Sequence, residues 1–550
     1  MASEDCQIHQ MTQHMGGVQC IDFSNDNTYI CSLGMEEDNS LLVWDVESGR
    51  AVCGMSAYTD TAYAAKWVNT RNDQIVTAGR FHLRVWQIDI SIPKMHAMDA
   101  KMGKVRRVIN TLAIAPDDSF AVAGTLTGDI MKFRIERDGM LRPNDPDSLC
   151  PALMGITNDR FSQGVRCMIC DVNPTSGNVN ILVGAGDGTV GYVNPSMNRV
   201  TGMDVSLSGA ANSMALSPDD TGFMVTTDHA NRYFVSRDMV SELRCTGHST
   251  PINYVSFPSN CSDLIVTSSP AGIRVWNIKL QRELLRIQVP NVECHQAFVT
   301  RSGTSIISGW ADGKIRSFFP ESGKLKFVIN DAHTGGVKSL DMNEDDNISP
   351  WKLVSGGDDG RVRIWKITSS SQTLLHSTKE HRGPVNSIKV NKNATQAVSA
   401  SGDGSCIVWD LERFVRIMGF FESTVFQSIL YHPDESQMLT CGVNHKISYW
   451  DSYDGSAIRM IDGGDEALYS IDIDDREGEF FVSGSHDSLV KVWTYDEGIA
   501  VGVGRGHSGK ILCVKLSPDK RNIITVGEYG EILNWRMPSD GDLRLALEES

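Results

Sequence analysis

At 550 residues, with 41% apolar and 22% charged side chains and a formal net charge of −17, the chain is too long for one hydrophobic core and too apolar for an extended disordered protein, so it must be several domains or an array of repeated units. The balance of 51 basic against 68 acidic residues, with no basic cluster along the chain, argues against duplex nucleic acid as a partner. Thirteen cysteines, scattered and odd in number, suit a reducing compartment better than a disulfide framework.

The N-terminal MASEDCQIHQMTQHM has neither the basic start nor the apolar stretch of a secretory signal. No later run approaches the eighteen or so apolar residues that cross a bilayer. A soluble, intracellular protein with no membrane partner is expected. Strand-like stretches then recur along the chain, each ending at a marker: Trp44, Trp86, Phe133, Val193, Phe234, Trp276, Phe318, Trp365, Trp409, Trp450, Trp493 and Trp535. Their mean spacing is about 45 residues, the period of a β-propeller blade. The widest gap, from Phe133 to Val193, holds RDGMLRPNDPDSLCP, whose Pro, Asp and Gly content reads as an inserted loop.

Cys167 and Cys170 form a C-x-x-C within VRCMICDV. That run reads as a strand, on which residues three apart face opposite ways, so buried structural thiols are expected rather than a shared metal. GAGDG at 184–188 lacks the third glycine of a dinucleotide fingerprint, because Thr189 stands there; a hairpin turn is expected. The five weaker repeats give way to a stronger series near SRDMVSELRCT at 236–246. Two domains follow: residues 1–240 with five visible repeats, an incomplete set or a ring of its own, and residues 241–550 as a seven-bladed ring. Either Ser241–Cys245 or Leu543–Leu547 supplies the strand that completes the second ring.

The stretch 386–411, NSIKVNKNATQAVSASGDGSCIVWDL, shows the grammar of one unit: Val398 and Ala400 alternate with Ser399 and Ser401, and Asp403-Gly404 makes the turn before Ile407-Val408-Trp409. Each unit is a small antiparallel sheet that must stack on its neighbours to bury its faces. The acidic runs Glu344-Asp345-Asp346 and Asp474-Asp475-Arg476-Glu477 lack calcium-loop spacing and read as solvated turns, so no metal is expected. Gly504-Arg505-Gly506-His507-Ser508-Gly509-Lys510 nearly matches a phosphate-binding loop, but Ile511 replaces the hydroxyl that would hold magnesium and the next residues alternate as a strand. No cofactor is expected.

The Trp-Asp pairs at 44–45, 409–410 and 450–451 and the Gly-His pairs at 247–248 and 506–507 resemble the WD40-repeat family. That resemblance implies an all-β fold of tandem propellers, here with twelve recognisable blades of four antiparallel strands. It also implies structural hydrogen-bond tetrads of His333, Ser355, Asp359 and Trp365 and of His381, Ser399, Asp403 and Trp409. Asn444, Tyr529 and Pro270 replace the turn aspartate elsewhere, so those blades are expected to hold mainly by packing. A tetrad contains the side chains of a hydrolase triad, but it recurs with the repeat and its serine lies mid-strand, so no catalysis is expected.

Longer stretches are similar to a family of double-propeller proteins of ciliary and flagellar doublet microtubules: RELLRIQVPNVECH from Arg282, SIISGWADGKIRSFFPESGKLKFVINDAH from Ser305, YHPDESQ from Tyr431, SGSHDSLVKVWTYDEG from Ser483 and VGVGRGHSGKI from Val501. In the first half HLRVWQIDI from His82 and TGDIMKF from Thr127 resemble it more loosely. The family has two seven-bladed rings, whereas this sequence begins where a third blade would: either two blades are lost, with the first ring open or re-closed, or the start codon is misassigned. The resemblance implies a microtubule inner protein of the axoneme, with a soluble cytoplasmic pool before assembly, that lines the doublet lumen and binds tubulin and neighbouring inner proteins. It brings no active-site residues and no small-molecule substrate. The same fold also serves cytosolic adaptors and substrate receptors.

Overall fold

A computed structural model describes residues 11–135, 151–172, 177, 179–343, 351–368 and 371–538. Among the described residues there are 47 strands and no helix. They form twelve antiparallel sheets in which each strand pairs with the next along the chain, eleven sheets of four strands and a last one of three. The inserted segment at 137–150, the acidic run at 344–346 and the leucines at 543–547 lie outside the described residues.

The sheet built from Val385–Val390, Gln396–Ser401, Ser405–Asp410 and Val415–Phe421 shows how sequence becomes blade. Gly404 takes the turn at φ +81°, where a Cβ would come within 2.5 Å of the Glu422 carbonyl oxygen, so the hairpin requires glycine. In its second strand every residue from Ala397 to Ser401 is buried. The polar alternation of Ser399 and Ser401 therefore does not mark a wet face: sheets cover it from both sides, and the serine hydroxyls are used inside. The outer strand Val415–Phe421 is largely exposed.

The chain divides into two compact units, Met1–Thr246 with five sheets and Gly247–Ser550 with seven. Consecutive sheets meet along their first, innermost strands, and the junctions share a polar seam. Asn110 donates to the Val165 carbonyl at 2.6 Å, Asn253 to Cys294 at 2.9 Å and Asn386 to Phe426 at 2.7 Å. An aspartate clamp recurs beside it: Asp22, Asp341 and Asp472 accept the backbone N–H of Trp67, Val390 and Leu516 in the following sheet at 2.7–2.9 Å.

In the second unit the last sheet returns to the first. The Ile252 N–H donates to the Gly527 carbonyl at 3.2 Å, and Ile252, Val255, Ile265 and Trp276 share one apolar cluster with Cys513, Ile524 and Val526. Seven sheets thus close a ring. Ser241–Cys245 plays no part in that closure. Residues Ser241–Thr246 pair with Asn231–Ser236 as the outer strand of the fifth sheet, because a strand hydrogen-bonds most readily to the neighbour that a short turn brings beside it.

Candidate functional site

The side chains that combine most chemistry lie inside the blades. His333 sits between the Asp359 carboxylate, 2.9 Å from Nδ1, and the Ser355 hydroxyl, 2.8 Å from Nε2; the Trp365 indole donates to the same hydroxyl at 2.9 Å. Arg363 adds a donor to Asp359 at 3.0 Å. In the next blade His381 Nε2 meets Ser399 at 2.7 Å and Trp409 donates to Ser399 at 2.8 Å, but Nδ1 meets the Ser405 hydroxyl at 2.7 Å, and Ser405 in turn donates to Asp403. Asp403 therefore stands 3.7 Å from His381, a serine longer than the corresponding link to His333.

The pattern extends past these two blades. His14 contacts Asp38 and lies 2.7 Å from Ser32, to which Trp44 donates at 2.7 Å. Asp38 precedes Trp44 by the six residues that also separate Asp359 from Trp365 and Asp403 from Trp409, a spacing that could have found it. Tyr529 does replace the turn aspartate, but Glu531 reaches His507 Nδ1 at 3.0 Å, while Nε2 meets Thr525 at 2.6 Å. Glu422 likewise takes hydrogen bonds from Asn444 at 2.6 Å and Ser448 at 3.0 Å. These two blades hold by hydrogen bonds as well as packing: Glu531, two residues after Tyr529, reaches the histidine, while Glu422 stands where the other blades carry their histidine and takes a bond from Asn444 itself. The Pro270 blade has no such substitute: His248 Nε2 meets Thr267 at 2.9 Å, and its Nδ1 is buried without a partner.

Burial dominates the histidine electrostatics. It pushes the imidazoles of His333 and His381 below the ordinary value, and the facing carboxylates offset only part of this. His248 is taken down to about 3 by burial, assisted by Arg274. Each of these rings takes up a proton less readily when folded than when unfolded, where its ordinary value is about 6.5. Their depressed values therefore cost stability as pH falls through that point. The urea midpoint of the chain is expected to decline steadily from pH 7.5 to 5.5, and His248→Gln to flatten part of that decline. A midpoint independent of pH over this range would contradict the burial argument.

Chemically the tetrads are ill suited to attack a substrate. Ser355 and Ser399 are fully buried, and each hydroxyl is held by an indole N–H as well as an imidazole, leaving no lone pair directed at solvent. Cys167 and Cys170 lie on one strand, Val165–Val172, but pack into different apolar clusters. Burial pushes both thiols up to about 12. Gly504 and Arg505 end the strand Ala500–Arg505, and Ile511 opens the strand Ile511–Leu516, with His507 engaged in its blade. Asp474 differs from the solvated turn expected of it: it is buried and paired with Lys520 at 2.6 Å. Among the described residues no group of His, Cys, Asp or Glu side chains is disposed to hold a metal ion.

The second ring encloses a cavity of about 790 Å³, where Lys515 pairs with Asp472 and the Asp341 carboxylate raises the Lys389 ammonium above its ordinary value. Acidic and basic side chains line it in equal number, so the wall carries no net charge to draw a charged ligand.

The profile of the WD domain, G-beta repeat, matches residues 5–45, 323–366, 372–410, 455–494 and 499–536. Over nearly the whole chain the sequence is similar to cilia- and flagella-associated protein 52. The Chlamydomonas reinhardtii protein of that name is 41% identical over 532 residues, 96% of this chain and 83% of the relative. The Mus musculus and Homo sapiens proteins are 37% and 36% identical over 537 residues, with the same coverage.

Proposed function

Because the chain belongs to the WD40-repeat family of cilia- and flagella-associated protein 52, we propose that it is a structural inner protein of ciliary and flagellar doublet microtubules, a rigid scaffold that binds tubulin and neighbouring inner proteins and stabilises the doublet. Likeness along 96% of the chain to relatives named for cilia and flagella carries this reading. The proposal is of a binding protein rather than an enzyme. In support, the Ser, His and Asp constellations are spent on internal hydrogen bonds, and the repeated sheets give a stiff frame from which turns present contact residues. Exposed aromatics on those turns, such as Tyr453 and Tyr529, are of the type that anchors protein interfaces. Many such contacts, repeated along a filament, add by avidity.

The test is fractionation. A tagged chain expressed in ciliated cells should stay with axonemes after demembranation and a high-salt wash, and should cross-link to tubulin there. Recovery mainly in the soluble cytosol would overturn the proposal and favour an adaptor.

A further inference from the structure

The acidity of the whole chain hides one basic run in the first unit, KMGKVRR at 101–107. It lies on the crossover from the second sheet to the third, and the fold brings the tips of two hairpins onto it. In one hairpin, between Gln74–Gly79 and His82–Asp89, the Phe81 N–H donates to the Arg107 carbonyl at 3.1 Å. In the other, between Phe120–Thr125 and Ile130–Arg134, the Leu126 N–H donates to the Val108 carbonyl at 3.1 Å. Phe81 is 40% and Leu126 53% exposed, so two apolar side chains meet water beside the basic run.

Phe81 is held at φ +64°, a left-handed backbone that an aromatic side chain adopts only at a cost. Phe414, at φ +59°, offsets that cost by stacking on His376 and packing against a core cluster. Among the described residues Phe81 joins no apolar cluster, and the Arg80 guanidinium lies 5.6 Å from its ring. Strain kept at an exposed position points to a contact outside the chain.

The charges beside it point the same way. Asp129 stands four residues before Phe133, as Glu531 stands before Trp535. Instead of an imidazole it meets two guanidiniums, Arg107 at 2.6 Å and Arg160 at 2.7 Å. The carboxylate is buried while the Arg160 side chain is largely exposed, so the trio turns a net positive charge outward. Arg80, Lys104 and Arg106 are exposed and form no ion pair among the described residues, either with Asp129 or with the nearby Asp60 and Asp159.

We propose that this surface docks an acidic segment of a partner polypeptide. An apolar side chain of the partner covers Phe81 and Leu126, and its carboxylates are received by Arg80, Arg106 and Arg160. The inference rests on the scaffold reading above and deepens it, naming a surface through which the chain holds a neighbour in the doublet. A chain of net charge −17 repels an acidic partner at long range, so docking needs a local field of the opposite sign. Arginine forks and an aromatic anchor supply it in the form protein interfaces use. The exposed apolar pair favours a polypeptide over a phosphate backbone, which would leave both side chains in water.

The full chain carrying Arg106→Lys keeps the charge and places an amine at the centre of the surface. In washed axonemes of cells expressing it, a carbodiimide should couple position 106 to an Asp or Glu of another polypeptide, identified by mass spectrometry of the joined peptides. The double reversal Arg80→Glu with Arg106→Glu should leave the axoneme at less than half the NaCl concentration that releases the parent. Neither arginine holds Asp129, so the urea midpoint should not change. Reversal of Arg382 and Arg413, two exposed arginines of the second unit, alters net charge equally and should shift release less. Phe81→Asn, which tolerates the left-handed turn, should weaken retention while keeping or raising the urea midpoint. A parent chain absent from axonemes would overturn the scaffold reading, and this inference with it. A retained parent with no coupling at position 106, equal shifts from both reversals, a lower midpoint for Phe81→Asn, or release by nuclease would overturn this inference alone.

Discussion

Trp409→Ala is expected to lower the stability of the second unit by about 3–5 kcal/mol, the range for deleting a large buried aromatic from a packed core. The ring is 3% exposed and packs with Ile388, Ile407 and Leu411 between its own blade and the preceding one, whose Val354, Val362 and Ile364 share the cluster. Two losses add. The cavity removes dispersion contacts that the surrounding strands, fixed by hydrogen bonds, cannot fully recover by collapsing. The Ser399 hydroxyl also loses its indole donor, although His381 still engages it. Trp409→Phe separates the two, since it keeps most of the packing and removes the donor; about 1–2 kcal/mol is expected. Urea unfolding followed by tryptophan fluorescence and circular dichroism measures both. Equal losses for the two variants would mean that the hydrogen bond outweighs the packing, contrary to this reading.

Asp359→Ala is the second large effect, at about 3–5 kcal/mol, the range for removing one partner of a buried charged pair. Burial alone would push the Asp359 carboxyl up, but the hydrogen bond and charge of His333, the Thr334 N–H and the Arg363 guanidinium hold it down at about 2. Truncation leaves His333 Nδ1 and Arg363 without this acceptor in a site only partly open to water. A carboxylate with a depressed value contributes its stability above about pH 3.8, its unfolded value, and loses it as pH falls through the folded value. The difference in urea midpoint between the parent and Asp359→Ala should therefore be full at pH 7 and should narrow only in strong acid. Asp359→Asn, which can still accept one hydrogen bond, is expected to cost less than half as much. A small, pH-independent loss for Asp359→Ala would show that the tetrad holds the blade weakly.

The periodic spacing of Trp365, Trp409, Trp450 and Trp493 made the repeat legible without coordinates, because a sheet that cannot bury its faces alone must be copied at a near-constant interval if copies are to stack. The Asp403-Gly404 turn was legible for a similar local reason, since it sits six residues before Trp409, whereas the tetrad around His333 came from the resemblance to WD40 repeats. Resemblance of long stretches, rather than any chemical motif, pointed to a ciliary family.

Other features depended on atoms far apart in the chain. Glu531 stands in for a missing aspartate, and Glu422 meets Asn444 from the place of a histidine, only because the fold brings these side chains together. Ser241–Thr246 could equally have served either unit by its sequence, and strand pairing assigned it to the fifth sheet. Ile21 carries the same apolar side chain as Ile388 and Ile471, yet it is exposed while they are buried. Local sequence decides which residues form a strand and which way each side chain points, since those follow from backbone geometry over a few residues. Whether another sheet covers that side chain is a property of the whole stack, and only the tertiary structure could decide it.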